Sequence, residues 1–186
     1  MTAPDLREVL ATAEVIHDRA TLEAAIERMA GEIAGEYAND ARPPLYITVM
    51  HGGLPFAASL AMELGTLGID LEFDYLHATR YRGQTSGSGL AWLHRPATPM
   101  QGRRVLLADD ILDEGHTLLA VKRWCEDQGA ADVRVAVLAV KVHDRCIEGV
   151  CADYVGVEVP DRYVFGYGMD YHEQGRNLPA IYALAE

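Results

Sequence analysis

Cations and cysteines are both scarce in this sequence. Sixteen Lys and Arg stand against 28 Asp and Glu, a formal net charge of −12. Binding to nucleic acid or to an anionic membrane draws on Lys and Arg for counterion release, so neither is an expected partner. A small anionic substrate is not excluded, because local basic groups and a divalent cation overcome the global field. The three cysteines, Cys125, Cys146 and Cys151, are an odd number and imply no disulfide framework, which points to a reducing cytoplasm. No hydrophobic run approaches membrane-spanning length, and the N-terminus lacks a basic-then-apolar signal pattern. Repeats and low-complexity tracts are missing. His143, Cys146 and Cys151 lack a fourth ligand at the spacing a zinc finger needs.

What is present suits one α/β domain over residues 1–186, with hydrophobic residues at 49% and enough chain for a full core. The stretch Arg104 to Val121, RVLLADDILDEGHTLLAV, organises the rest. An apolar run, Val105 to Ala108, reads as a buried strand. Carboxylates come next at Asp109, Asp110 and Asp113, then Gly115, His116, Thr117 and a helical pattern through Cys125. Ligands of open α/β sheets sit at the carboxyl ends of parallel strands. A helix N-terminus offers free N–H groups to a phosphate. The turn from Asp113 to Thr117 therefore suits a phosphate, while the acid pair before it suits hydroxyls or a metal. A plain strand-to-helix turn with capping carboxylates is the competing reading. Ile111 occupies a position where an EF-hand needs oxygen, and no Gly-Lys-Ser/Thr comes after it as in a P-loop.

Around this stretch, residues 4 to 38 read as two packing helices, with Ile16 and His17 on the first and Leu22, Ile26, Met29 and Ile33 on the second. Leu45 to Met50 is a strand, broken by His51-Gly52-Gly53, and Leu54 to Leu64 a helix. Strand, Gly-Gly, helix is a second candidate anion site. Residues 70–79 form a strand, 80–90 a Gly- and Ser-rich loop, and Leu90 to His94 a returning strand. The loop is either an ordinary hairpin tip or a lid that excludes water. Gly115 to Gln128 is a helix closed by Gly129, and Ala131 to Val140 a buried strand ending on Lys141. Lys141 either snorkels to the surface or faces a substrate carbonyl beside Asp113. Asp153 to Leu184 alternates strand-like residues, aromatics and glycines.

The central stretch resembles the 5-phosphoribosyl-1-pyrophosphate (PRPP) motif of type I phosphoribosyltransferases. The tail, VGVEVPD, an aromatic, Val, then GY, DY and Arg176, resembles the base-binding hood of the hypoxanthine-guanine phosphoribosyltransferases. The likeness covers about residues 45 to 184. It implies a mainly parallel twisted sheet flanked by helices, with a small hood over the C-terminal strand edge. Within it, residues 1–40 would be N-terminal helices, 45–145 the core, 80–90 the lid and 153–184 the hood. It implies transfer of phosphoribose from PRPP to N9 of hypoxanthine or guanine, with Mg2+, in a cytoplasmic homodimer or homotetramer. By the same resemblance, Asp109 and Asp110 hold the ribose hydroxyls directly or through magnesium, and Asp113 serves purine N7 as the catalytic group. Glu114, Gly115, His116 and Thr117 would hold the 5′-phosphate. His51, Gly52, Gly53, Arg80, Tyr81 and Arg176 would hold pyrophosphate, with a non-proline cis peptide at the Gly-Gly loop. Lys141 would bind purine O6, Tyr163 stack on the base and Val164 read its 2-position edge. Asp170 would lie beside the base as a further magnesium ligand. His51, Glu114 and His116 depart from the family's usual Lys, Thr and Lys. A regulator on the same fold, a generic nucleotide-binding module, and an enzyme preferring xanthine or another base are the rival expectations.

Overall fold

The computed structural model describes residues 5–80 and 90–185, without the side chains of Arg80 and Leu90. In chain order the elements are α1 (Leu6–Leu10), β1 (Glu14–His17), α2 (Arg19–Tyr37), β2 (Leu45–Met50), α3 (Leu54–Thr66), β3 (Glu72–Arg80) and β4 (Leu90–His94). Then come β5 (Arg104–Leu112), α4 (His116–Asp127), β6 (Asp132–Lys141), β7 (Tyr154–Val159), β8 (Val164–Phe165) and β9 (Ile181–Ala183). The lid expected over 80–90, with Tyr81 and the Arg80 side chain, lies outside the described residues.

Six strands form the main sheet in the order β4-β3-β2-β5-β6-β7. All neighbours are parallel except β4, which runs antiparallel to β3 at one edge. Both faces of the sheet are covered, and alternation along the strands sorts the core in two. Tyr46, Leu106, Ala108 and Leu138 face Leu22, Ile26, Met29, Ile33, Phe56 and Leu60 of α2 and α3. Leu45, Ile47, Leu107, Val135 and Val137 face Leu118, Val121 and Cys125 of α4. Full burial of each such side chain contributes roughly 1.5–3 kcal/mol. This is the parallel sheet, helix-flanked, that the sequence implies.

Two boundaries differ from expectation. The N-terminal region is not two helices: Ile16 and His17 belong to β1, which pairs antiparallel with β9 at the far end of the chain. Asp18 then starts α2, its side chain accepting from the Thr21 N–H at 2.9 Å. The tail from 153 also divides. Tyr154–Val159 is the edge strand of the main sheet, because Val155, Val157 and Val159 align with Val137, Ala139 and Lys141. Beyond Pro160, β8 and β9 join β1 in a second, three-stranded sheet of order β1-β9-β8.

Candidate active site

The chain passes from β2 to β3 in one direction across the sheet and from β5 through β6 to β7 in the other. The order reverses between β2 and β5, and the carboxyl ends of two strands diverge there to leave a crevice. A cavity of about 520 Å³ occupies it. The end of β2 supplies His51 and Gly52, the end of β5 supplies Asp109 to Asp113, and the α4 entry supplies Glu114 to Thr117. Arg176 and Glu173 close it from the tail. Two segments distant in sequence, the acid-rich stretch and the Gly-Gly loop, thus share one hollow.

Asp109 and Asp110 are both buried. Each turns Oδ1 to the next backbone N–H, Asp109 to Asp110 at 2.9 Å and Asp110 to Ile111 at 2.8 Å. Burial pushes both carboxyls above the usual range, Asp109 well above it, and for Asp109 the charge of Asp110 adds to the effect. Such a pair gains from a cation or hydroxyl donors. Gly52 lies against it: a Cβ there would sit 2.0 Å from Asp110 Oδ2, so any larger residue would have to displace that carboxylate. The Met50–His51 peptide is cis, as the resemblance implies. Gly53 stands behind the loop as the N-cap of α3, outside the cavity lining.

Gly115, at φ 83°, caps α4 with no side-chain hydrogen bond. The bond from Leu119 N to Gly115 O, at 2.9 Å, opens the helical ladder, so the first-turn amides of His116 to Leu118 have no intrahelical acceptor. Oε2 of Glu114 lies 3.7 Å from Nε2 of His116. This offers the acid at 114 a neighbour other than a phosphate.

Asp113 has two side-chain partners. Lys141 Nζ donates to Oδ2 at 2.6 Å, and His143 Nε2 lies 2.7 Å from Oδ1. Burial works to raise the Asp113 pKa, but the two hydrogen bonds outweigh it and hold the carboxyl below the usual range. The end of β6 thus meets the end of β5, and Lys141 does not snorkel away.

The tail is locked onto the Gly-Gly loop. A Cβ on Gly168 (φ 108°) would lie 2.0 Å from Gly52 O. Arg176 Nη1 donates to Gly168 O at 2.8 Å, and Nη2 pairs with Asp170 Oδ1 at 2.7 Å. The other Asp170 oxygen accepts from Glu173 N. Tyr163 is about half exposed, its hydroxyl on Asp170 O and its ring edge-on to Tyr171. Val164 is buried, so only its main chain is available to a ligand. Tyr163, Val164 and Asp170 do not line the 520 Å³ cavity. Asp170 is joined to the lining residue Arg176, and Tyr163 is joined to Asp170 through its hydroxyl.

Three titratable residues of the neighbourhood have no role at this site in the sequence-based expectations. His77 and Glu173 line the cavity, and His143 touches Asp113. The His77 ring lies tilted against that of His51, with centroids 4.3 Å apart and planes at 56°. Burial and then the charge of His51 lower its pKa. His77 lies within β3 and reaches the site because it pairs with Met50, the last residue of β2, for which the sequence carried no signal. For His143 the only signal was its spacing of two from Lys141.

Among the described residues no three His, Cys, Asp or Glu converge as a metal cage. The donor set nevertheless fits Mg2+, a hard ion usually held by one or two carboxylates with water and substrate phosphate completing the shell. Asp109 and Asp110 supply the carboxylates.

The phosphoribosyl transferase domain model matches residues 12–172. The chain is 34% identical over 187 residues to the hypoxanthine-guanine phosphoribosyltransferase of Streptococcus pneumoniae, covering all of this chain and 97% of that one. It is 34% identical over 182 residues to the same-named protein of Bacillus subtilis, covering 97% and 94%. The solved structure of Trypanosoma cruzi hypoxanthine phosphoribosyltransferase in complex with the product IMP superposes with a TM-score of 0.87 at 25% identity, covering 98% of both chains. A matching fold, a helix N-terminus beside paired acids and full-length identity all lead to one assignment: the chain belongs to the phosphoribosyltransferase family, in its hypoxanthine-guanine branch.

Proposed function

We propose that this protein is an enzyme that transfers the 5-phosphoribosyl group of PRPP to N9 of hypoxanthine or guanine, giving IMP or GMP and pyrophosphate. The observation that carries this reading is the convergence of a buried acid pair and a helix N-terminus on one crevice, where the lining residue Asp113 is bound by Lys141.

The position of each group suggests its role. The 5′-phosphate takes the amides of Glu114 to Thr117 and the Thr117 hydroxyl. The ribose hydroxyls take Asp109 and Asp110. Pyrophosphate takes the backbone at Gly52, His51, Arg176 and, from the expected lid, Arg80 and Tyr81, whereas Gly53, its N–H already given to Val49 O, supports the loop from behind. Bound Mg2+ would be held by Asp109 and Asp110, with Asp170 joining on release of Arg176, and would offset charge on the departing pyrophosphate. As the bond from the anomeric carbon to pyrophosphate breaks, positive charge grows on the ribose, and the nearby carboxylates stabilise it. Asp113 accepts the N7 proton or its charge as N9 forms the new bond. Lys141 donates to O6, which favours a 6-oxo over a 6-amino purine because an ammonium has no acceptor. Tyr163 offers its exposed ring to the base and Val164 its main chain.

The reading includes a cytoplasmic location and assembly as a homodimer or homotetramer, which sedimentation would test. No helix among the described residues is long and apolar enough to cross a membrane. The deciding experiment is magnesium-dependent pyrophosphate release from PRPP with hypoxanthine, guanine, xanthine and adenine. Turnover of the first two supports the reading. Preference for xanthine narrows it. Turnover of adenine alone, or no turnover with a gel shift of nucleic acid instead, overturns it.

A further inference from the structure

The side chain of His143 is 3% exposed and sits at the rim of the site, two residues past the end of β6. Its two ring nitrogens have different partners. Nδ1 accepts the backbone N–H of Arg145 at 3.0 Å, so it presents a lone pair. The ring proton is therefore on Nε2, which points at Oδ1 of Asp113 at 2.7 Å. Arg145 is itself held by a two-pronged pair with Asp161, at 2.7 and 2.6 Å. The chain Asp161, Arg145, His143, Asp113 runs from the hood to the acid at the cavity.

Lys141 holds the other oxygen of Asp113. A lysine with three donors on a flexible stem is free to turn toward a base, whereas a buried imidazole fixed at both nitrogens is not. We propose that His143 is a positioning residue. It keeps the Asp113 carboxylate oriented and ionised when Lys141 redirects its ammonium to the purine, a task left to no other described side chain that contacts Asp113. The inference rests on the proposed transfer reaction and adds the group that maintains its acid in place.

Two measurements test it. In wild-type protein labelled with 15N-histidine, His143 is expected in the Nε2–H tautomer, with its Nε2 proton shifted downfield by the carboxylate. An Nδ1–H tautomer would overturn the inference whatever the activity. Second, His143→Phe keeps buried bulk without a donor, and His143→Gln keeps a donor at about the Nε2 position. Hydrogen bonds to charged groups lead us to expect His143→Phe to lose roughly 10-fold or more in kcat, with KM for PRPP within about 2-fold. His143→Gln should recover to within about 3-fold of wild type. Loss of kcat shared equally by both variants, or by neither, overturns the positioning role. If His143→Phe does not fold, the tautomer and the Gln variant decide. A wild-type enzyme that turns over no oxopurine overturns the transfer reading instead, and the tautomer result still stands.

Discussion

Lys141 Nζ lies 2.6 Å from Asp113 Oδ2, across 28 residues of sequence and one strand spacing of the sheet. The pair joins the two side chains proposed to face one edge of the purine, N7 and O6. Before a base arrives, each neutralises the other. In the proposed reaction a 6-oxopurine exchanges this contact for two of its own, which would make base binding and charge separation at the site a single event.

Asp113→Asn should lower kcat by about 10²–10⁴ with little change in the KM for PRPP, the usual worth of a positioned general base. Asparagine is not a neutral copy here. If its carbonyl oxygen meets Lys141, its NH2 faces the Nε2 of His143, donor against donor. Steady-state kinetics with guanine check this, and unchanged kcat would remove Asp113 from the chemistry.

Lys141→Ala should raise the KM for hypoxanthine by about 10-fold or more, as expected for loss of a charged hydrogen bond of about 1.5–3 kcal/mol. The KM for PRPP should move far less. Equal changes in both would contradict a contact to O6.

Asp113 should also titrate unusually. Its folded pKa lies below the ordinary 3.8 because two donors overcome the cost of burial. A depressed carboxyl contributes stability above its unfolded pKa and loses it as pH falls through the lower folded value. The 13C signal of its carboxyl should therefore stay flat from about pH 7 to about 4.5. In Lys141→Ala the midpoint should rise. A wild-type midpoint above the ordinary value would mean that the donors are not engaged in solution.

Gly168→Ala tests whether the hood is fastened to the pyrophosphate loop. The added methyl would meet Gly52 O at 2.0 Å, at a φ of 108° that alanine rarely adopts. A loss of at least about 2 kcal/mol in urea unfolding is expected. The KM for PRPP should rise as well, because the displaced atom belongs to the loop beside Asp110. A variant with the wild-type midpoint and KM would show that loop and hood part freely.

Local pattern was enough to read the parallel core and to pick out the acid-rich turn as the candidate site. Apolar β-branched runs ending in Gly turns fix strand and helix locally, and the acid-acid-x-x-Asp spacing fixes which groups leave one strand end together. Patterns of that kind are short-range, and local physics suffices to read them. Features that depend on pairing between distant segments emerge only once the chain is folded. Ile16 and His17 obey a helical spacing, yet β9 recruits them as a strand. The run at 154–159 completes the main sheet because β6 has an open edge. His143 and His77 carry no motif, and they reach the site through the register of β5 with β6 and of β2 with β3. Glu173 arrives with the hood, which the contact of Gly168 with Gly52 fastens over the cavity. Register and close approach are properties of two segments at once, so no single stretch of sequence specifies them.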